Sequence, residues 1–225
     1  TEGEHRLNNF YGVVISLVYF FSLIGISTIL TKKKILQGES SRKFIHISAS
    51  NWWFIAMYFF DNAWMAAIVP AIFIAINYYS FRNQTFKAME RNGSKKDLGS
   101  VYYVISLLIL TLLTFGNEFE LFGTIGILTM GYGDGFSAII GEKFGKTKIK
   151  VGENLKSLEG TLIVIFFGFA ISGFVFLYIG DAWWGVKALI IGIMSGLLEL
   201  FTKDGFDNIS LPLGAALLSY LLMLM

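Results

Sequence analysis

The chain contains no cysteine, which excludes a disulfide framework, a thiolate metal site and a cysteine nucleophile. Charge is scarce as well. Asp, Glu, Lys and Arg make up 15% of the 225 residues against 55% hydrophobic ones, and the mean hydropathy is +0.63. Such a balance excludes a soluble domain of this size and makes a membrane the natural solvent. Also missing are a Gly-x-x-x-x-Gly-Lys-Ser/Thr loop and the protein-kinase signature set, so any nucleotide must be held in another way. The formal net charge of +2 points to no nucleic-acid partner.

What the chain does have is a series of apolar runs near the length of about 20 residues that a helix needs to cross the hydrocarbon. They extend approximately from Phe10 to Leu30, Phe44 to Phe60, Ala63 to Tyr79, Val101 to Phe115, Leu121 to Gly141, Thr161 to Ile179, Ala182 to Phe201 and Leu211 to Met225. The expected fold is therefore all-α, a polytopic membrane bundle of about eight transmembrane helices forming one domain over residues 1–225. The runs at Val101 and Leu211 are short, so seven spans is the alternative count. Residues 1–9 carry neither a strongly basic start nor a small-residue cleavage pattern, so the first run is expected to be a retained span.

Threading these spans in order puts sixteen Lys and Arg residues on one side, among them Lys32 to Lys34, Arg42, Lys43, Lys87, Arg91, Lys95, Lys96, Lys146, Lys156 and Lys203. Only Arg6 and Lys187 fall on the other. Basic residues are retained in the cytoplasm during insertion, so the basic connectors are predicted to be cytoplasmic and both termini outside. Topology marking and attraction to anionic membrane lipids account for Lys32 to Lys34, Lys95 and Lys96.

Neither role explains a set of polar residues in or beside the apolar runs on that side. Asp134 stands within Gly131-Tyr132-Gly133-Asp134-Gly135. A carboxylate at the centre of a span costs about 2.5–3.5 kcal/mol on insertion scales, and such residues usually face a functional cavity. Gly131, Gly133 and Gly135 permit a broken or sharply turned backbone and close approach of a phosphate or metal. Gly141 and Gly145, at four-residue spacing, suit helix packing or function equally.

Three further clusters share this side. Arg42, Lys43 and His46 open the second run, with Arg42 and His46 on one helical face; arginine forks onto phosphate oxygens and lysine adds a point charge. In Asn154-Leu155-Lys156-Ser157-Leu158-Glu159-Gly160, Ser157 suits a helix cap and Glu159 suits the dipole, while Lys156 is placed for a phosphate. Finally come Glu199, Asp207-Asn208 and Pro212, the last expected in the first turn of the final helix. Asp134, Glu159, Glu199 and Asp207 supply hard oxygen ligands suited to Mg2+, which takes one or two carboxylates together with substrate phosphates.

In this order, Arg42-Lys43 with His46, Gly133-Asp134 through Gly141 to Phe144-Gly145-Lys146, Lys156-Ser157 with Glu159-Gly160, and Glu199 with Asp207-Asn208 and Pro212 resemble the CTP-dependent lipid-alcohol kinases: phytol, farnesol and dolichol kinases and the fungal CTP-dependent diacylglycerol kinase. The likeness runs from about Arg42 to the carboxyl end. It implies transfer of the γ-phosphate of CTP to a membrane lipid alcohol with magnesium, and importance of Arg42, Lys43, Asp134 and Gly141. With the one-sided clustering of polar residues, Gly133, Gly135, Lys146, Ser157 and Asn208 are expected near the nucleotide, and Asp134, Lys156, Glu159 and His46 are candidates for catalysis. Leu155 departs from the family, where lysine is frequent. A phosphatidate cytidylyltransferase, whose usual carboxyl-terminal signature is missing, and a small ion-coupled transporter with a broken helix at Asp134 are the competing expectations.

Overall fold

The computed structural model of the chain describes residues 2–83, 85, 98–116, 119–151, 154–202 and 205–225, with side chains for all of these except 2–7 and 154. Lys87, Arg91, Lys95, Lys96 and Lys203 lie outside the described residues, as do the side chains of Arg6 and Asn154.

Helices dominate, as the apolar runs require. They are α1 (Glu2–Lys32), α2 (Glu39–Ser50), α3 (Trp52–Phe59), α4 (Ala63–Asn83), α5 (Gly99–Thr114), α6 (Glu120–Leu128), α7 (Gly135–Phe144), α8 (Leu158–Tyr178), α9 (Trp184–Phe201) and α10 (Asp207–Met223). Four of them, in α1, α4, α8 and α9, are long and apolar enough to cross a membrane; α5 and α10 are shorter apolar helices. The outward faces fit that solvent. Phe10, Val18, Phe21, Phe166, Phe174, Leu189 and Leu217 are all exposed, while Arg42, Lys43, His46, Asp134 and Glu199 are buried. A water-soluble protein would distribute these groups the other way round.

Two expected runs depart from a single regular α-helix. Phe44 to Phe60 breaks at Asn51 into α2 and α3, and Asn51 secures the corner by donating from Nδ2 to the Ile47 carbonyl at 3.1 Å. Leu121 to Gly141 passes through a π-helical segment, Thr129–Asp134, between α6 and α7. The glycines there do not break the chain, since Gly131, Gly133 and Gly135 are absent from the glycines with positive φ. They serve contact instead: a Cβ on Gly131 would meet Ser50 at 2.3 Å, and one on Gly135 would meet Ile47 at 2.3 Å. The departure from an all-α fold is an antiparallel hairpin, β1 (Lys148–Val151) with β2 (Asn154–Ser157), in what the sequence suggests is a plain connector. Lys148-Ile149-Lys150-Val151 alternates exposed and half-buried positions, the period of a strand on a surface.

One core cluster centres on Trp52, Trp53, Phe20, Phe73 and Leu107, and a second on Phe122, Ile125, Phe176 and Ile191. Both indoles are fully buried, and each finds an acceptor: Trp52 Nε1 donates to Ser16 Oγ and Trp53 Nε1 to Thr124 Oγ1, both at 2.8 Å. Pro212 falls inside α10, because the helix already begins at Asp207. With no N–H of its own, Pro212 leaves the Asn208 carbonyl without its helical donor. Ser106 Oγ supplies the missing bond at 2.6 Å and ties α5 to α10. At the opposite end of the bundle from this corner, Lys187 is neutralised by Asp181 at 2.6 Å, and that hydrogen bond holds the Asp181 carboxyl below its usual range.

Close helix approach gives a test of the packing. A Cβ on Gly126 of α6 would meet the Pro212 backbone oxygen of α10 at 2.4 Å, whereas one on Gly25 of α1 meets nothing within 4 Å. Gly126→Ala should therefore destabilise the protein by about 1–3 kcal/mol, and Gly25→Ala should leave it unchanged or raise stability by up to about 1 kcal/mol. Thermal unfolding in one detergent reads both, and equal midpoints for the two variants would refute the assigned α6–α10 contact.

Candidate active site

Five stretches distant in sequence converge on one polar cavity of about 470 Å³, lined from α2, the π-helical segment with α7, the hairpin with the start of α8, the end of α9 and the start of α10. On α2, the spacing Glu39, Arg42, Lys43, His46 sets one helical face inward. Arg42 forks onto Glu39, donating from Nη2 to Oε1 and from Nε to Oε2. Lys43 Nζ donates to Asp134 Oδ2 and also stands 3.9 Å from Glu39 Oε1. Lys43 is 2% exposed and Asp134 5%, so this is a buried ion pair.

The other half of the site is organised by Lys156 at the end of the hairpin. Its ammonium donates to the Glu199 carbonyl, lies 3.0 Å from Glu199 Oε1 and lies 3.4 Å from Asp207 Oδ2. Burial opposes charge on Lys156, but Glu199 and Asp207 outweigh it and hold the ammonium above the usual lysine range. Thr161 Oγ1 donates to Glu199 Oε2 at 3.4 Å, fixing that carboxylate from α8.

Asp134, Glu199 and Asp207 each present a carboxylate oxygen, and the three oxygens lie within 4.8 Å of one another. Among the described residues, four cationic side chains (Arg42, Lys43, Lys148, Lys156) and five carboxylates (Glu39, Asp134, Glu142, Glu199, Asp207) line the cavity. Carboxylates crowded this closely repel one another unless cations intervene. Lys43 and Lys156 provide part of that charge, and the all-oxygen donor set fits a hard divalent cation.

Several expected residues have other work. Glu159 accepts from the backbone amides of Lys146 at 3.0 Å and Thr147 at 3.2 Å, so its carboxylate closes the turn between α7 and β1 and stands apart from the three-acid cluster. The Lys146 side chain is exposed and does not line the cavity. Gly135 faces Ile47, where it lets α2 pack closely, and Gly133 faces Val164 of α8, where a Cβ would make ordinary contact at 3.5 Å. Gly141 does line the cavity, and a Cβ there would meet Ser157 Oγ at 2.6 Å. Ser157 caps α8, its Oγ accepting from the Gly160 amide at 3.1 Å. Asn208 also lines the cavity, with its Oδ1 buried and without a hydrogen-bond partner among the described residues. His46 packs on Tyr103 with ring centroids 4.5 Å apart, and its Nδ1 is 4.0 Å from Asp134 Oδ2.

Two participants escape a reading of the sequence alone. Glu39 sits in a polar connector where nothing distinguishes it except its position three residues before Arg42. Lys148 is one of several hairpin lysines, but the β1 register turns it to the cavity, where Nζ donates to the Gly141 carbonyl at 2.8 Å.

The helix through Asp134 is unbroken, which removes the half-helix ends that an ion-coupled carrier would use. The arrangement is one for handling phosphate: cations on two sides, a cluster of hard oxygens between them, and the amino terminus of α8 with Gly160 and Thr161 on the cavity wall.

Comparison with known proteins agrees. A phytol kinase from Synechocystis sp. is 29% identical over 211 residues, covering 92% of the chain and 90% of that protein. Phytol kinase 1, chloroplastic, of Arabidopsis thaliana is 30% identical over 213 residues, covering 85% and 69% respectively. The chloroplastic farnesol kinase of Arabidopsis thaliana is 26% identical over 234 residues, covering 92% and 73%. No family model and no solved structure matches the chain. Relatives of this similarity span most of the chain, and the chain belongs to the family of lipid-alcohol kinases that contains the phytol and farnesol kinases.

Proposed function

We propose that this protein transfers the γ-phosphate of CTP to the primary hydroxyl of a membrane lipid alcohol of the phytol or polyprenol type, at the cytoplasmic face of a bilayer it crosses about eight times. The observation that carries this reading is the meeting of Lys43–Asp134 with Lys156–Glu199–Asp207 in one cavity of a chain related to lipid-alcohol kinases. CTP as donor rests on the ordered motifs from Arg42 to Pro212. The cytoplasmic placement rests on the sixteen-to-two division of basic residues.

Phosphoryl transfer is mainly a matter of position and charge, because the γ-phosphoryl passes through a loose transition state with charge on its outer oxygens. Arg42 and Lys43 from α2, with Lys148 and Lys156 from the hairpin, bind the triphosphate from opposite walls. The α8 amino terminus adds backbone donors to the phosphates. Asp134, Glu199 and Asp207 would hold Mg2+, which would supply positive charge against that of the phosphates. Glu39 orients Arg42, and Thr161 orients Glu199. His46, beside Asp134, accepts the proton that the acceptor hydroxyl loses.

Preorganised charges of this kind typically contribute factors of about 10²–10³ in rate. Purified Asp134→Asn and Lys156→Met should each lose about that much kcat with radiolabelled CTP and phytol, and the wild type should release CDP. Wild-type rates in both variants would remove the mechanism, and pyrophosphate in place of CDP would mark a cytidylyltransferase.

The division of labour among the acids is separately testable. Asp207→Asn should raise the magnesium concentration needed for half-maximal activity by about tenfold or more, the loss of one charged ligand interaction. Glu159→Gln, which alters only the α7–β1 turn, should leave that concentration within about twofold of wild type. A magnesium titration at saturating CTP decides, and the reverse ranking would move the metal to the hairpin side.

A further inference from the structure

Of the three acids in the cluster, Asp207 has the least support from its own helix. Asp134 lies within a continuous helical stretch, and Glu199 is fixed by Thr161. Asp207 is the first residue of α10 and follows a turn at Gly205, whose φ is 79°. A first turn is weakly held, because its N–H groups have no intrahelical partners. In α10 the deficit is larger, since Pro212 has no N–H to offer the Asn208 carbonyl four residues back.

Both neighbours of Asp207 are instead held from α5. Phe206 stacks on Tyr102, with ring centroids 4.8 Å apart and planes inclined by 29°. The Asn208 carbonyl accepts from Ser106 Oγ at 2.6 Å. Tyr102 and Ser106 are four residues apart, so one face of α5 makes both contacts. Asn208 passes the constraint to the acid: its backbone N–H and its Nδ2 each donate to Asp207 Oδ1 at 3.1 Å, and Nδ2 also donates to the Gly205 carbonyl at 3.0 Å. With Oδ1 so engaged, Oδ2 stands 3.4 Å from Lys156 Nζ.

Among the described residues, α5 contributes none to the wall of the 470 Å³ cavity. Its influence on the site is therefore indirect. Carboxylate oxygens within 4.8 Å of one another repel until a cation arrives, and the repulsion acts most on the member with the weakest anchorage. An untethered first turn would let Asp207 swing away from Asp134 and Glu199, and the oxygen cluster would open.

We propose that Tyr102 and Ser106 are positioning residues for the metal site, clamping Phe206 and Asn208 so that the Asp207 carboxylate stays beside the other two acids; this role rests on the kinase reading and deepens its account of how magnesium is held. Pro212 belongs to the same device. By freeing the Asn208 carbonyl from the helix, it makes that oxygen available to α5.

Mn2+ is a suitable probe, because it favours the same hard oxygen ligands as magnesium. Its binding to the detergent-solubilised protein can be read from the free-ion signal in electron paramagnetic resonance, without turnover. Ser106→Ala and Tyr102→Leu should each weaken Mn2+ binding by about threefold to tenfold, the loss of one hydrogen bond or one aromatic pair. The magnesium concentration for half-maximal activity should rise in step, with KM for phytol unchanged. Tyr102→Phe keeps the stacked ring and should stay within about twofold of wild type. Adding Pro212→Ala to Ser106→Ala returns a helical N–H to the Asn208 carbonyl and should restore Mn2+ binding to within about twofold as well. If Ser106→Ala alone does not fold, the comparison of Tyr102→Leu with Tyr102→Phe decides. Variants with a lowered thermal midpoint but wild-type Mn2+ binding would overturn the proposal, as would a Ser106→Ala defect that Pro212→Ala leaves uncorrected; both results leave the kinase reading intact. A wild-type protein that binds no Mn2+ would remove the metal site itself, and this role with it.

Discussion

Everything at this site depends on charges being neutralised where water is scarce. Asp134 in an apolar helix is tolerable because Lys43 meets it from the next helix, and Glu199 because Lys156 reaches over from the hairpin. A buried pair of this kind adds little net stability, since desolvation offsets most of the attraction; losing one partner, however, leaves an expensive lone charge. The pairs therefore act as a specification: α2, the π-helical segment, the hairpin, α9 and α10 must assemble together, or several ions remain uncompensated. The same ions, held in poor solvent and ready to exchange one partner for another, suit the binding of a polyanion with its metal.

The remainder of the bundle solves the geometric problem of bringing those groups close. Glycines and small residues supply most of the answer. Gly131 and Gly135 let α2 lie against the helix of Asp134, and Gly168 and Gly192 bring α8 and α9 together, the Cβ position of one lying 3.0 Å from the Cα of the other. In hydrocarbon, helices gain little from burying apolar surface against one another, so close backbone approach and interhelical hydrogen bonds carry the association. The Trp52–Ser16, Trp53–Thr124 and Ser106–Asn208 bonds are of that kind.

The helical stretches and the main site residues were legible in the sequence because apolarity over about 20 residues and an acid inside such a run are strong, local signals. Arg42, Lys43, Asp134, Lys156, Glu199, Asp207 and Asn208 are brought together as their common side suggested. Glu159 was misleading because the same feature, an acid at a helix amino end, serves equally to hold neighbouring backbone amides. Gly135 was ambiguous for a similar reason: lack of a side chain permits approach of a phosphate or of another helix, and here Ile47 occupies the space, while at Gly133 a Cβ would make only ordinary contact with Val164. Glu39 and Lys148 carried no local mark, since their roles come from a helical face and a strand register that exist only after folding.

The π-helical segment Thr129–Asp134 has a consequence for how this lineage can vary. Such a segment amounts to one residue more than an α-helix would use over the same rise. Removing a single residue from it would take out that surplus and return the stretch to α-helix, leaving α6 and α7 in phase and the inward row Ser137, Ala138 and Gly141 on the cavity wall. The same deletion within α6 or α7 would turn everything beyond it by about 100°, so these six residues are where this helix can lose one position without turning its inward side chains away from the site.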